Sequence, residues 1–170
     1  MLNILLGIAL LLQTSIYTFS VTNTEGTNIS LSQYEGKKIM LVNIATGSER
    51  VTQLAGLQQL HQQYGDSLVI IVFPSNSFGH ETRTNAEIKE FCQTNYNAGY
   101  IIVAKDAVTG PTAQPVYIWV GDGTANGAAA ISIANDFQKI LLDKHGDIIG
   151  VYAPSVSPTD NSILNAINSN

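Results

Sequence analysis

Cysteine is nearly absent from this chain of 170 residues, which contains Cys92 and no other. A single cysteine excludes an intramolecular disulfide and a zinc site built from several thiolates. The three histidines, His61, His80 and His145, stand far apart and show no metal-ligand spacing. The sequence therefore predicts neither a metal site nor a bound cofactor.

Charged residues are also scarce, since they make up 12% of the chain and Lys and Arg together number 8. The net charge is −5, and no basic cluster is present that could bind phosphates, which argues against nucleic acid as a partner. Hydrophobic residues reach 45% of the chain, enough for one substantial core. We therefore expect a single globular domain, and the sequence does not specify an oligomeric state.

No hydrophobic run at the N-terminus is long enough to span a bilayer. The apolar run from Ile4 to Leu12 falls short of the about 20 residues that a spanning helix needs. We interpret residues 1–14 as a hydrophobic leader, although a basic start and an A-x-A cleavage site are missing. This interpretation favours export to the periplasm or the extracellular space over a cytoplasmic location. The alternative is an N-terminal element packed on the domain.

The rest of the chain alternates apolar runs with helical patterns. Two runs typical of strands buried on both faces, Ile39–Ile44 and Leu68–Phe73, enclose a helical pattern at Val51–Tyr64. Such a unit normally places its two strands parallel. The remaining predictions are a hairpin over 16–31, a helix over 85–95, a strand over 100–103, a short helix or strand over 115–120, a flexible loop over 121–130, hairpin arms over 140–143 and 147–151, and a helix over 163–167.

Four segments resemble, in order, the motifs of the glutathione peroxidases. They read LVNIATGSERVTQLAGLQQL from Leu41, FPSNSFG from Phe73, NAEIKEFC from Asn85 and NDFQKILLDKHGDIIG from Asn135. The family motifs read LVNVAS-x-C-GLT-x-Q-Y-x-GLQ-x-L, FPCNQFG, NEEIKEFC and WNFEKFLVDKDGKVV. The resemblance implies one domain over 15–170 with a thioredoxin-like α/β fold: a central mixed sheet flanked by helices, and an N-terminal hairpin.

The resemblance places Ser48 where the family carries its catalytic cysteine or selenocysteine, between a buried strand and a helix N-terminus. Reduction of a peroxide needs a soft, polarisable nucleophile, whereas a serine hydroxyl is hard and weakly acidic. Ser48 therefore removes the first redox step. Its simplest interpretation is a serine in a polar loop or at the N-cap of the following helix.

Three further catalytic positions are altered. The family's Gln of FPCNQFG corresponds to Ser77, and the Trp and Asn of WNF correspond to Asn135 and Asp136. Two donors thus give way to a short hydroxyl and an amide, and a carboxylate at Asp136 would raise the pKa of a nearby thiol. Four coordinated changes predict a pseudoenzyme, retained as a binding or redox-partner module that contacts a protein or a thiol reductant.

The competing hypothesis is a thiol-dependent peroxidase that acts in oxidative stress through Cys92. The resemblance places this cysteine near the position of the resolving cysteine in thioredoxin-dependent members. As a redox thiol it would form a sulfenic acid or be glutathionylated, with thioredoxin or glutathione as the reductant. The simpler interpretation is a half-buried cysteine that acts as a small hydrophobe.

A hydrolase is the third hypothesis. Ser48 or Ser75 could form a triad with His80 and Asp136. Two features of the sequence disfavour it: no G-x-S-x-G elbow is present, and His80 lies beside a glycine with no evident orienting partner.

Overall fold

A five-stranded mixed sheet forms the centre of the structure, a computed structural model that describes residues 13–169. The predicted leader lies outside the described residues except for Gln13 and Thr14. Strand order in the sheet is β5-β4-β3-β6-β7, and β1 and β2 form a separate antiparallel hairpin. The elements are β1 (Ser20–Thr22), β2 (Asn28–Ser30), β3 (Lys38–Ile44), α1 (Gln53–Tyr64), β4 (Leu68–Pro74), α2 (Asn85–Tyr96), β5 (Ile101–Ile102), α3 (Pro115–Gly121), α4 (Gly123–Asn126), β6 (Lys139–Leu142), β7 (Ile148–Tyr152) and α5 (Asn161–Asn168).

The predicted parallel pair is confirmed, because β3 and β4 run parallel in a register that starts at Lys38 opposite Leu68. β6 pairs antiparallel with the other side of β3, and β7 pairs antiparallel with β6. The sheet is therefore mixed, as the resemblance implied. No helix within residues 13–169 is long and apolar enough to cross a membrane.

The two faces of the sheet support separate hydrophobic cores. Ile39 and Leu41 of β3 point to the face covered by α3, where Trp119 is buried. Met40 and Val42, the alternate residues, point to the face covered by α1, α2 and α5. Successive side chains of a strand point to opposite faces of the sheet, and here both faces are covered. Every residue of such a strand is therefore buried, which explains the continuous apolar runs in the sequence.

Several predicted boundaries differ from the structure. The segment 121–130 is not a continuous loop, since α4 begins after Asp122, whose carboxylate accepts hydrogen bonds from Thr124 N (2.9 Å) and Ala125 N (3.2 Å). The first part of the predicted hairpin is a 3₁₀ turn at Ile16–Thr18, capped by the Ser15 side chain. The local caps decide both segments where composition alone favoured loop or strand.

Candidate functional site

Ser48 lies in the loop that connects β3 to α1. Its side chain is nearly buried, with the residue 3% exposed, and its Oγ accepts a hydrogen bond from Arg50 N (3.3 Å). Residues 49–52 form turns before the helix, so Ser48 stands ahead of α1, and Thr52 occupies the N-cap. The prediction of a loop serine is confirmed, and the N-cap alternative is wrong.

A buried carboxylate holds the loop immediately before Ser48. Glu81 is 1% exposed and accepts hydrogen bonds from Thr46 N (2.7 Å) and Thr46 Oγ1 (2.8 Å). The same carboxylate accepts a bond from Arg83 N (3.1 Å), and Arg83 Nη1 donates to Thr46 Oγ1 (2.6 Å). The Gly47 N–H donates to the His80 carbonyl oxygen (3.0 Å). A Cβ at Gly47 would lie 2.6 Å from that oxygen, so this approach requires glycine.

His80 and Asp136 form a close pair beside this loop. His80 Nδ1 lies 2.6 Å from Asp136 Oδ2; the Asp136 side chain is fully buried and the imidazole is about half exposed. Burial raises the pKa of the Asp136 carboxyl, and the His80 hydrogen bond lowers it only in part. The expectation that His80 has no orienting partner was therefore wrong: the partner lies 56 residues further along the chain.

The Asp136 segment is fixed to the central strand by the side chain and the backbone of one residue, Asn43. Asn43 Nδ2 donates to the Asn135 carbonyl oxygen (2.9 Å), and the Asn43 carbonyl oxygen accepts from Phe137 N (2.6 Å). Phe137 has a positive φ of 68°, a rare conformation for a non-glycine residue. Asn43 thus fixes the backbone on both sides of Asp136.

The Ser77 side chain forms hydrogen bonds with residues other than Ser48. Its Oγ accepts hydrogen bonds from Ser75 Oγ (2.9 Å) and Val108 N (3.1 Å), so it serves the turn after β4 and the loop at 108. Among the described residues, the hydrogen bond of the Ser48 side chain goes to Arg50 and not to Ser77, Asn135 or Asp136. A cleft of about 520 Å³ opens beyond Val108. Its walls include Pro111, Tyr117, Ile118, Ile131 and Ile133.

Cys92 is fully buried on α2, packed in the core formed with Ile88. Burial is the main cause that raises the pKa of its thiol to about 12; the Glu81 charge raises it further and the Arg83 charge lowers it. A thiol of this kind stays protonated at neutral pH, where the thiolate would be the reactive form. The environment is that of a buried small hydrophobe, more enclosed than the half-buried position that the sequence predicted.

We expect native protein to resist alkylation of Cys92 by iodoacetamide at neutral pH and protein unfolded in urea to react readily, as measured by mass spectrometry.

Because the folded pKa of about 12 exceeds the usual 9.0, the neutral thiol favours the folded state below pH 9.0. That contribution is lost as the pH rises toward 12. Cys92→Ala should therefore lose less stability across this interval than the wild type. Rapid alkylation of native protein would contradict both expectations.

Three buried polar residues of this region were not among those predicted from the sequence: Asn43, Glu81 and Lys139. Lys139 is fully buried at the start of β6, where its Nζ donates to Pro154 O (3.2 Å) and to Val156 O. Burial lowers the pKa of this lysine to about 8, and the Arg50 charge lowers it further. Asn43 and Lys139 were visible as single polar residues beside or within apolar runs, whereas Glu81 gave no such signal. Within residues 13–169, His, Cys, Asp and Glu side chains form no group of three that could hold a metal ion.

Comparison with known proteins gives consistent matches. A model described as glutathione peroxidase matches residues 16–121. The chain is 35% identical over 148 residues to a glutathione peroxidase of Lactococcus lactis, covering 86% of this chain and 94% of that protein. It is 32% identical over 148 residues to the Bacillus subtilis glutathione peroxidase homolog BsaA, with 86% and 92% covered. A Synechocystis hydroperoxy fatty acid reductase is 31% identical over 153 residues, with 86% and 90% covered.

Solved structures agree on the fold. The crystal structure of Trgpx in apo form superposes with a TM-score of 0.69 at 25% identity, covering 92% of this chain and 97% of that one. A thioredoxin-family thiol:disulfide interchange protein from Chlorobium tepidum superposes with a TM-score of 0.63 at 16% identity, with 92% and 97% covered. The predicted thioredoxin-like fold is confirmed.

Proposed function

Since this chain belongs to the glutathione peroxidase family, we propose that it is a member that no longer reduces hydroperoxides and that keeps the fold as a binding or redox-partner module. The proposal rests on Ser48, which the resemblance places at the family's nucleophile position. Three further positions support it, because the resemblance places Ser77, Asn135 and Asp136 where the family carries the donors that would lower a thiol's pKa and stabilise the leaving hydroxide.

The chemistry of O–O cleavage separates serine from cysteine. The nucleophile attacks one oxygen and is oxidised, which a thiolate does readily and a serine hydroxyl does not. Cys92 is the only other candidate in the sequence. Its full burial and its pKa of about 12 leave it no thiolate at neutral pH and no open path to a peroxide.

A peroxidase that works through Cys92 is the second candidate. It is favoured by relatives that are named as peroxidases or hydroperoxide reductases at 31% and 35% identity. This mechanism requires α2 to open locally, because the closed helix keeps Cys92 packed in the core.

The proposed partner is a thiol-containing reductant, such as glutathione or thioredoxin, or another protein. The cleft beyond Val108 offers an apolar wall with Tyr117 and Ile133 among its residues. Val108, which also lines the cleft, donates its N–H to Ser77 Oγ (3.1 Å). The hydrophobic leader supports a location outside the cytoplasm, in the periplasm or the extracellular space.

A coupled assay tests the loss of peroxidase activity. Purified protein receives hydrogen peroxide with glutathione and its reductase, or with thioredoxin and its reductase, and the consumption of NADPH is followed. We expect wild type and Cys92→Ala to match a blank without protein, while the Lactococcus lactis relative serves as the positive control. Turnover by the wild type that disappears in Cys92→Ala would overturn the proposal in favour of the second candidate.

A further inference from the structure

The central sheet has one covered edge and one open edge. At the β5 edge, Thr24 N donates a hydrogen bond to the Ile102 carbonyl oxygen (3.0 Å), and Asn23 forms a bridge with Val103. At the opposite edge, β7 pairs with β6 alone, and no backbone hydrogen bond links β7 to any other element within residues 13–169. The N–H and C=O groups of a strand point alternately to its two sides, so β7 keeps an unpaired row of donors and acceptors.

Two apolar side chains are exposed along this open edge. Ile149 is 43% exposed and Val151 is 45% exposed. They lie two residues apart on the strand, so they point to the same face of the sheet. Val151 stands opposite Ile140, which belongs to the core on the α3 side, so this is the face that α3 covers elsewhere. An apolar strip therefore lies beside the unpaired backbone.

β7 lacks most of the devices that keep an edge strand from pairing with another chain. Charged side chains and proline are two such devices, and the strand sequence IIGVY contains neither. One bulge is present, because the register shifts between Leu141 and Leu142 and leaves Ile149 without a partner residue on β6. The residues from Gly150 to Tyr152 stay in regular register. The edge is therefore open to a further strand.

We propose that β7 pairs antiparallel with the β7 of a second copy of this chain, about a two-fold axis at Gly150. Gly150 is the middle of the 5 residues of β7, so this register pairs the whole strand. It also sets Ile149 of each copy opposite Val151 of the other, which covers both exposed side chains in two equivalent contacts. The two central sheets then form one continuous sheet.

The open edge requires an extended, uncharged and apolar segment as its partner, and β7 itself meets these requirements. Each copy carries a net charge of −5, so an interface between two copies has to keep like charges apart. No residue from Ile148 to Tyr152 is charged, and in the proposed register Asp147 lies beside Ala153 of the other copy and not beside a second carboxylate. This self-association goes beyond the proposed function and is independent of peroxide reduction.

Sedimentation equilibrium of the full chain over a series of protein concentrations tests the pairing. Stable interfaces bury about 1,200 Å² or more, and two strands of this length bury less by themselves, so we expect a dimer that dissociates on dilution. Hydrogen exchange followed by mass spectrometry locates the contact. Exchange of the β7 amides should slow as the dimer forms, while exchange of the β5 amides at the covered edge should stay unchanged.

Lysine substitutions test which side chains lie in the interface. The double variant with Ile149→Lys and Val151→Lys places like charges directly opposite each other in both contacts, so it should be monomeric at every concentration. Val151→Lys alone should raise the dissociation constant of the dimer by about tenfold, because the lost cross-strand pair occurs twice in a two-fold dimer. Ile118→Lys is the matched control. It places a lysine at a similarly exposed apolar position on α3 and should dimerise like the wild type.

A second pair of charge variants tests whether the two positions face each other. The double variant with Ile149→Glu and Val151→Glu should be monomeric alone. Mixed in equal amounts with the double lysine variant, it should form a mixed dimer, because each lysine then faces a glutamate.

Three results would overturn the proposal: a wild type that stays monomeric at the highest concentration, a dimer that the double lysine variant retains, or charge variants that fail to pair when mixed. Circular dichroism shows whether each variant is folded. Peroxide turnover does not enter these measurements, so this proposal and the proposed function fail independently.

Discussion

Glu81→Ala is expected to lower the free energy of unfolding by about 3–5 kcal/mol, the range for removing one partner from a buried charged network. The variant leaves the Thr46 N–H, the Thr46 hydroxyl and the Arg83 N–H without their acceptor. Each lost bond to a charged group costs about 1.5–3 kcal/mol, and these costs are not additive. Chemical denaturation followed by circular dichroism measures the change.

Two control variants show whether the loss of stability comes from the Glu81 charge, from its size or from its buried position. Glu81→Gln keeps the length and one acceptor oxygen, so we expect about half the loss of the alanine variant. Glu90→Ala removes a glutamate from the exposed side of α2 and should change stability by no more than about 0.5 kcal/mol. A Glu81→Ala variant as stable as Glu90→Ala would show that the network is not what holds the loop before Ser48.

The fold was predictable because its signals are local. The buried strands β3 and β4 appear as apolar runs, and the motif order specifies the sheet and the flanking helices. α4 was missed because its glycine-rich surroundings resemble a loop, while the cap at Asp122 determines the turn of helix. Such a cap depends on one side chain and leaves no periodic pattern.

The site was predictable only in part. The resemblance placed Ser48, Ser77, Asn135 and Asp136 at the family's catalytic positions, and this assignment remains a prediction. What no local pattern could give is the pairing of Asp136 with His80 across 56 residues. That pairing arises from the antiparallel placement of β6, which brings the segment before it next to the segment after β4. Residue spacing within one segment carries no information on such a contact.

Ser48→Cys, in a Cys92→Ala background so that one thiol remains, is expected to restore only weak peroxide reduction. The new thiol supplies the nucleophile, but the leaving hydroxide still lacks its donors. Ser77 has a short hydroxyl that already bonds Ser75 and Val108. Adding Ser77→Gln returns an amide donor and should raise the rate of peroxide reduction by about tenfold, a conservative part of what one such donor contributes. The rate is followed by loss of the free thiol after a single addition of hydrogen peroxide.

Alkylation of the same thiol separates two effects on the rate: the reactivity of the thiol as a nucleophile and the stabilisation of the leaving group. The leaving group of iodoacetamide is iodide, which an amide donor stabilises little. The rate of alkylation should therefore be equal with and without Ser77→Gln. Ser77→Met fills similar space without a donor and should leave peroxide reduction as slow as in Ser48→Cys alone. If Ser48→Cys alone matched the Lactococcus lactis relative, the changes at Ser77, Asn135 and Asp136 would not limit the reaction. The serine by itself would then account for the lost chemistry, because every other part of the site would have stayed competent.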